Sequence, residues 1–217
     1  MSTNSYSVTQ NELSSSVYNL LIGAVLLWGF AINWYMVATI PAESLMAINP
    51  WVFFIGYFVC CFAGVAMFSA SSNPMISFLG YNLVVIPFGL IVNIVVAQYS
   101  TEIVVQALQT TTIVTFCMMV LGSIFPQFFF KIAPALFWAL IIAIVVQLFQ
   151  IFVLKNVPSI MDWIVAVIFC GYIGYDWARA NAMPKTLDNA IDGAASLYMD
   201  IINLFLRVLS IMGGNKD

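Results

Sequence analysis

The sequence predicts an all-α, polytopic membrane protein, a bundle of seven transmembrane helices, and three observations predict it. Of 217 residues, 63% are hydrophobic and only 7% charged, whereas soluble domains are about 25% charged. The apolar residues fall into nearly charge-free runs long enough to cross the hydrocarbon, which takes about 20 residues each. The segments between the runs are too short to hold a soluble catalytic or binding module, and no internal repeat at a fixed period is visible. The expected organisation is a polar segment over 1–16, a transmembrane domain over 17–212 and a short tail over 213–217.

The first charge-free stretch lies between Glu12 and Glu43 and holds one span, Val17 to Ile40. It is too long for the apolar core of a signal peptide, so it is expected to be retained. Leu45 to Thr101 holds two spans, folded back on each other at Ser71-Ser72-Asn73-Pro74, a run of turn-forming residues. A fourth span falls between Glu102 and Lys131, ending near Phe125-Pro126, and a fifth between Lys131 and Lys155, beginning near Pro134. The sixth follows Pro158, from Ser159 to Trp177, and the seventh runs from Gly193 to Met212, after a polar segment holding Arg179, Lys185, Asp188 and Asp192. Trp51, Trp138, Trp163 and Trp177 are expected at the membrane interfaces, and Pro87 and the scattered glycines are read as packing features. With the N-terminus inside, Lys131, Arg179 and Lys185 lie inside, against Lys155 and Lys216 outside, a slight positive-inside bias.

Composition also excludes chemistries. Six Lys and Arg against nine Asp and Glu give a net charge of -3, so no basic stripe exists to neutralise phosphates and nucleic acid is not a partner. There is no histidine, which removes the commonest general base and metal ligand, so any pH response must come from carboxylates. Cys60, Cys61, Cys117 and Cys170 lie in apolar runs without zinc-ligand spacing and are expected as buried thiols. No phosphate-binding glycine loop or nucleophile-base arrangement is present, and neither an enzyme nor a resident cofactor is expected.

Charged side chains inside a bilayer cost about 2.5–3.5 kcal/mol on insertion scales, and they usually face the bundle interior, find partners and mark pathways. Only the last two spans carry carboxylates at depth. At about 100 degrees per residue, Asp192, Ser196, Asp200, Asn203 and Arg207 fall within roughly 80 degrees of one another, a polar stripe that must face protein or water. Asp176 lies near the end of the sixth span, and the short loop to the seventh makes the two helices antiparallel neighbours, bringing Asp176 and Asp200 to comparable depth. Two carboxyls in contact cannot both stay ionised cheaply; they share a proton, which makes a proton-sensitive latch without histidine. The alternative is structural: Asp176 pairs with Arg179, and Asp200 pairs with Arg207 or bonds to Asn203. Asp162 and Lys155 read as interface residues, Asp188 and Asp192 as a polar loop and a helix N-terminal charge; EF-hand spacing is absent.

The stretch Tyr175-Asp-Trp-Ala-Arg179, followed after the loop by Ala195-Ser-Leu-Tyr-Met-Asp-Ile-Ile-Asn-Leu-Phe-Leu-Arg207, resembles the C-terminal signature of the Bax inhibitor family. Val17-Tyr-Asn-Leu-Leu21, Ser72-Asn-Pro and Ser77-Phe-Leu-Gly80 are looser matches. The resemblance implies a seven-helix bundle with a central last helix and a pH-sensitive calcium leak governed by two aspartates, which match Asp176 and Asp200; calcium would be the permeating or bound ion. Bacterial members are expected to add an arginine on the second span to the latch. No arginine precedes Arg179 here, so that element is missing or is supplied by Arg179 or Arg207.

Two other readings belong to different classes. The sparse polar lining of the first five spans, essentially Asn33, Asn82, Asn93, Gln98 and Gln147, suits a regulatory protein that acts by binding another membrane protein, such as a protease or cell-death factor. Paired aspartates on successive helices also suit an intramembrane aspartyl protease, but Leu197-Tyr-Met-Asp200 stands where that class needs Gly-x-Gly-Asp. The expected location is a prokaryotic plasma membrane.

Overall fold

The computed structural model describes residues 12–154 and 160–214. Lys155, Pro158, Ser159 and Lys216, most of the polar N-terminal segment and the last residues of the tail lie outside the described residues. The elements are α1 (Ser15–Thr39), a short α2 (Ala42–Met46), α3 (Pro50–Ala70), α4 (Pro74–Val96), α5 (Thr101–Ile124), α6 (Pro126–Phe149), α7 (Ile160–Ala182) and α8 (Leu187–Gly213). All except α2 are long and apolar enough to span a membrane, giving seven candidate spans among the described residues.

Helix starts follow from local chemistry. Ser14, Asn49, Asn73 and Thr186 each accept a hydrogen bond from a backbone N–H in the first turn of the helix they precede, and Pro50, Pro74 and Pro126 open α3, α4 and α6, where a missing N–H costs nothing. The fifth span corrects the expectation. It begins at Pro126, not near Pro134, and passes through Pro134 before ending in a wider π-type turn over Gln150–Leu154. Helix is the only open-chain conformation that satisfies its own backbone in lipid, so one lost N–H at Pro134 is tolerated. Lys131 therefore lies in the second turn of α6 rather than in a loop. Trp138 consequently falls in the middle of that helix, 62% exposed on its lipid-facing side, and is not an interfacial anchor.

The most buried helix is α8, which packs on α7, α1, α5 and α4; α4 also packs on α3 and α1, and α6 lies outside against α7. The start of α1 meets the α7–α8 turn, where the Leu13 N–H donates to the Lys185 carbonyl at 2.8 Å. Nearby, the Tyr18 hydroxyl reaches the carbonyls of Ala180 and Asn189 at 2.9 and 3.2 Å. At the other end of α1, the Asn93 side chain donates to the carbonyls of Met36 and Ile40 at 3.1 and 2.9 Å, tying α4 to the last turn of α1. The thiols are not a buried set: Cys60, Cys61 and Cys170 are half-buried and Cys117 is exposed, all free.

Close backbone approach explains the glycines that matter. A Cβ on Gly64 would lie 2.5 Å from the Gly80 carbonyl oxygen, and one on Gly80 would lie 2.6 Å from that of Gly64, so α3 and α4 touch backbone to backbone. A Cβ on Gly23 would meet nothing within 4 Å. Gly80→Ala is therefore expected to cost about 1–3 kcal/mol as the helices are forced apart, whereas Gly23→Ala should be neutral or gain about 0.5–1 kcal/mol. Thermal unfolding of the detergent-solubilised variants separates the two.

Candidate functional site

The site is built from α8 outward. Asp200 sits at the midpoint of α8, 7% exposed, and Asp176, 9% exposed, stands a turn and a half before the end of α7. The short turn between the helices folds them antiparallel, and their carboxyls are neighbours close enough to interact. Asp200 Oδ2 is buried with no hydrogen-bond partner from a donor group.

Arg179, one turn after Asp176, places its guanidinium Nη1 3.5 Å from Asp176 Oδ1 while its side chain remains 47% exposed. It also lies within electrostatic reach of Asp200 and Asp192. Both expected contacts of Asp176 are thus formed at once, the ion pair with Arg179 and the meeting with Asp200. Neither structural alternative for Asp200 is formed. The Asn203 amide donates back to the Met199 carbonyl at 2.8 Å, and Arg207 turns elsewhere. Tyr172, one turn before Asp176 on α7, neighbours both aspartates and escaped the sequence reading, although its four-residue spacing from Asp176 places it on the same face.

The rest of the polar stripe is dispersed among other partners. Arg207 Nη1 bonds Asp162 Oδ1 at 2.8 Å and Nη2 bonds Gln147 Oε1 at 3.2 Å, while the Ser210 hydroxyl donates to Asp162 Oδ2 at 2.7 Å. Asp162 lies in the first turn of α7, and with Arg207 it ties α6, α7 and α8 together at the end away from the α7–α8 turn. At the opposite end, buried Asp188 accepts from the Ser77 hydroxyl of α4 at 2.7 Å. Asp192 shares that neighbourhood, its Oδ1 buried without a partner. Asp188 thus lies in the first turn of α8, packed against α4, and not in a polar loop, and Asp192 lies one turn further into the helix. Ser196 is half-buried between the two groups of acids.

Two carboxylates offer hard oxygen ligands, but calcium takes six to eight oxygens at about 2.3–2.6 Å. No group of three or more acidic, Cys or His side chains gathers among the described residues. A cation at this pair would therefore keep water or carbonyl ligands, which suits a passing ion better than a resident one.

The model of a family described as inhibitor of apoptosis-promoting Bax1 matches residues 10–217. The chain belongs to the Bax inhibitor family. An uncharacterized protein of Helicobacter pylori strain J99 is 32% identical over 171 residues, covering 77% of this chain and 73% of that protein. Protein LIFEGUARD 4 of Arabidopsis thaliana is 29% identical over 209 residues, covering 85% of this chain and 84% of its own. The uncharacterized protein YrjE of Lactococcus lactis is 26% identical over 227 residues, covering 95% and 94%. Membership in this family, together with the seven candidate spans, makes the chain an integral, multi-pass membrane protein.

The Asp162–Arg207 pair supplies its own test. Asp162→Asn leaves Arg207 short of its counter-charge and should destabilise the protein by about 1–3 kcal/mol. Adding Arg207→Met removes the stranded cation, and the double variant should recover part of that loss. Thermal unfolding of the single and double variants reads the coupling.

Proposed function

We propose that this member of the family is a pH-sensitive calcium leak channel gated by Asp176 and Asp200. The observation that carries the reading is the meeting of two buried carboxyls, one from each of two antiparallel spans, with one Asp200 oxygen left without a donor. Two negative charges in contact at low dielectric repel, whereas one shared proton turns the same contact into a hydrogen bond. The proton thereby fastens α7 to α8, and its loss favours their separation. A contact with two such arrangements is the kind of bistable element through which a small chemical change moves whole helices.

Arg179 has the second role. It is the cation that reaches the pair, and it comes from the same helix as Asp176 rather than from the second span. Its half-exposed guanidinium pairs with Asp176 from the polar side and reaches Asp200 electrostatically without an ion pair, leaving the contact between the two carboxyls to the proton. Once apart, the carboxylates offer a hard cation its first protein ligands, with water completing the shell. Membrane lipid is the surrounding solvent, and no covalent step is required.

Calcium flux into liposomes containing the purified protein, across external pH from about 5 to 8, tests the reading. The native chain is expected to give a flux that varies with pH. Asp176→Asn and Asp200→Asn each leave one carboxyl with no like charge to share a proton with, so either should flatten or shift that dependence. Should all three folded proteins give no flux above empty liposomes, the channel reading is lost, and a function exerted by binding another membrane protein takes its place.

A further inference from the structure

The ties between helices divide the bundle into two groups. In the first, α4 and α1 are joined along their length. The Tyr81 hydroxyl donates to the Val25 carbonyl at 2.9 Å, the Trp28 indole N–H to Asn82 Oδ1 at 3.0 Å, and the Asn93 amide to the last turn of α1. Helix α8 is tied to both, to α1 by the Asn33 amide on the Tyr198 hydroxyl and to α4 by the Ser77 hydroxyl on Asp188. The backbone contact of Gly64 with Gly80 adds α3.

The second group gathers around the stretch of α7 that carries Asp176. A Cβ on Gly122 of α5 would lie 2.5 Å from the Gly174 carbonyl oxygen, and the Trp177 indole N–H donates to Ser123 Oγ of α5 at 2.7 Å. Phe129 of α6 fills the space that a Cβ on Gly174 would need, and Phe130 meets Tyr175 edge-on with ring centroids 6.2 Å apart. One residue, Phe125, both ends α5 and precedes α6. Gly174, Tyr175 and Trp177 are thus each held from the α5–α6 side, while Asp176 between them neighbours Asp200 of α8.

Contacts between the groups are of another kind. Helix α5 packs on α8, but among the described residues no hydrogen bond joins the two, and the buried Thr111 and Thr115 hydroxyls of α5 have no partner. The hydrogen bonds that do cross lie at the two ends of α7. Tyr18 reaches the Ala180 carbonyl near the turn, and Arg207 and Ser210 reach Asp162 at the far end, where Arg207 also meets Gln147 of α6. Between those ends the crossing groups are titratable or charged: Tyr172, Asp176 and Arg179 from α7 face Asp192 and Asp200 from α8.

We infer that α5, α6 and α7 form one rigid unit set against a second made of α1, α3, α4 and α8, and that opening at Asp176 and Asp200 moves the three-helix unit as a whole. Close-packed interiors shift between discrete arrangements and do not deform continuously, so a helix gripped on two sides carries its neighbours with it. The inference rests on the gating reading for what drives the movement, and on the distribution of contacts for what moves.

Leu27 of α1, Phe62 of α3, Phe116 of α5 and Val167 of α7 are 68–71% exposed and accept labels without disturbing the interior. In the full chain with Cys60, Cys61, Cys117 and Cys170 replaced by alanine, spin labels are placed two at a time on cysteines at these positions. Distances are measured by pulsed electron paramagnetic resonance in phosphatidylcholine nanodiscs at pH about 5 and about 8. The distances 27–62 and 116–167, each within one unit, should stay constant. At least one of 27–167 and 62–116, which cross the boundary, should change by about 2 Å or more, the scale of helix shifts. A change in 27–62 or 116–167 as large as that across the boundary would overturn the division into units and leave the gate standing. Crossing distances that are the same at both pH values would overturn the movement and the gating reading together.

Discussion

Inside hydrocarbon a polar group finds its partner within the chain or costs several kcal/mol, and the placement of α8 follows from that constraint. Its acids, its arginine and its serine occupy one face over most of its length. A helix with such a face cannot lie at the periphery, whereas α3 and α6, nearly free of charge, can turn most of their surface to lipid. The small residues of α8 serve the same end: Ala190, Gly193, Ala194 and Ala195 are fully or almost fully buried, and a Cβ on Gly193 would lie 2.9 Å from that of Ala180 on α7. Close packing and polar satisfaction thus place the same helix at the centre.

The polar positions of α8 are answered level by level by different helices. Near the α7–α8 turn, Asp188 is met by a neutral hydroxyl from α4; at the far end, Arg207 is met by an opposite charge from α7 and an amide from α6. Both contacts read as packing, although beside Asp188 the neighbouring Asp192 keeps one buried oxygen without a partner. Asp200, between them, is met by a like group. A sequence selected only for helix packing would have no reason to bury two acids against each other where an Asn would bond as well without the charge. This difference in partner, and not burial alone, separates the candidate gate from the structural polar contacts around it.

Much of this was legible in the sequence. Span number followed from the lengths of charge-free runs, and the Asp176–Asp200 meeting followed from a short connection that leaves two helices little choice but to lie antiparallel. What was not legible depends on rotation and on distant partners. Arg207 and Asp162 are separated by 45 residues, and nothing local says that Arg207 turns away from Asp200, on its own face of α8, toward the start of α7. The fifth span was misplaced because Pro134 and Lys131 read as a boundary under rules for helices in water, while in lipid the backbone demand overrides one proline and a long lysine near the end of a span. That shift of eight residues in its start also moved Trp138 from interface to mid-span.

The absence of an early arginine changes what holds the aspartates together. A cation delivered from another helix would bind the pair with its own side chain and make their contact depend on that helix's position. Here the cation is Arg179, fixed to Asp176 by one helical turn and nearly half exposed. It moves with α7 and lies within electrostatic reach of Asp200 and Asp192 on α8, so it attracts that helix as well; screened by water, it compensates charge more than it clamps. On the proposed reading, a hydrogen bond between the carboxyls adds to the packing of the two helices at this level while a proton is shared. On the proposed reading, protonation of the pair therefore acts on the contact between α7 and α8 at Asp200, with the cation supplied by α7 itself.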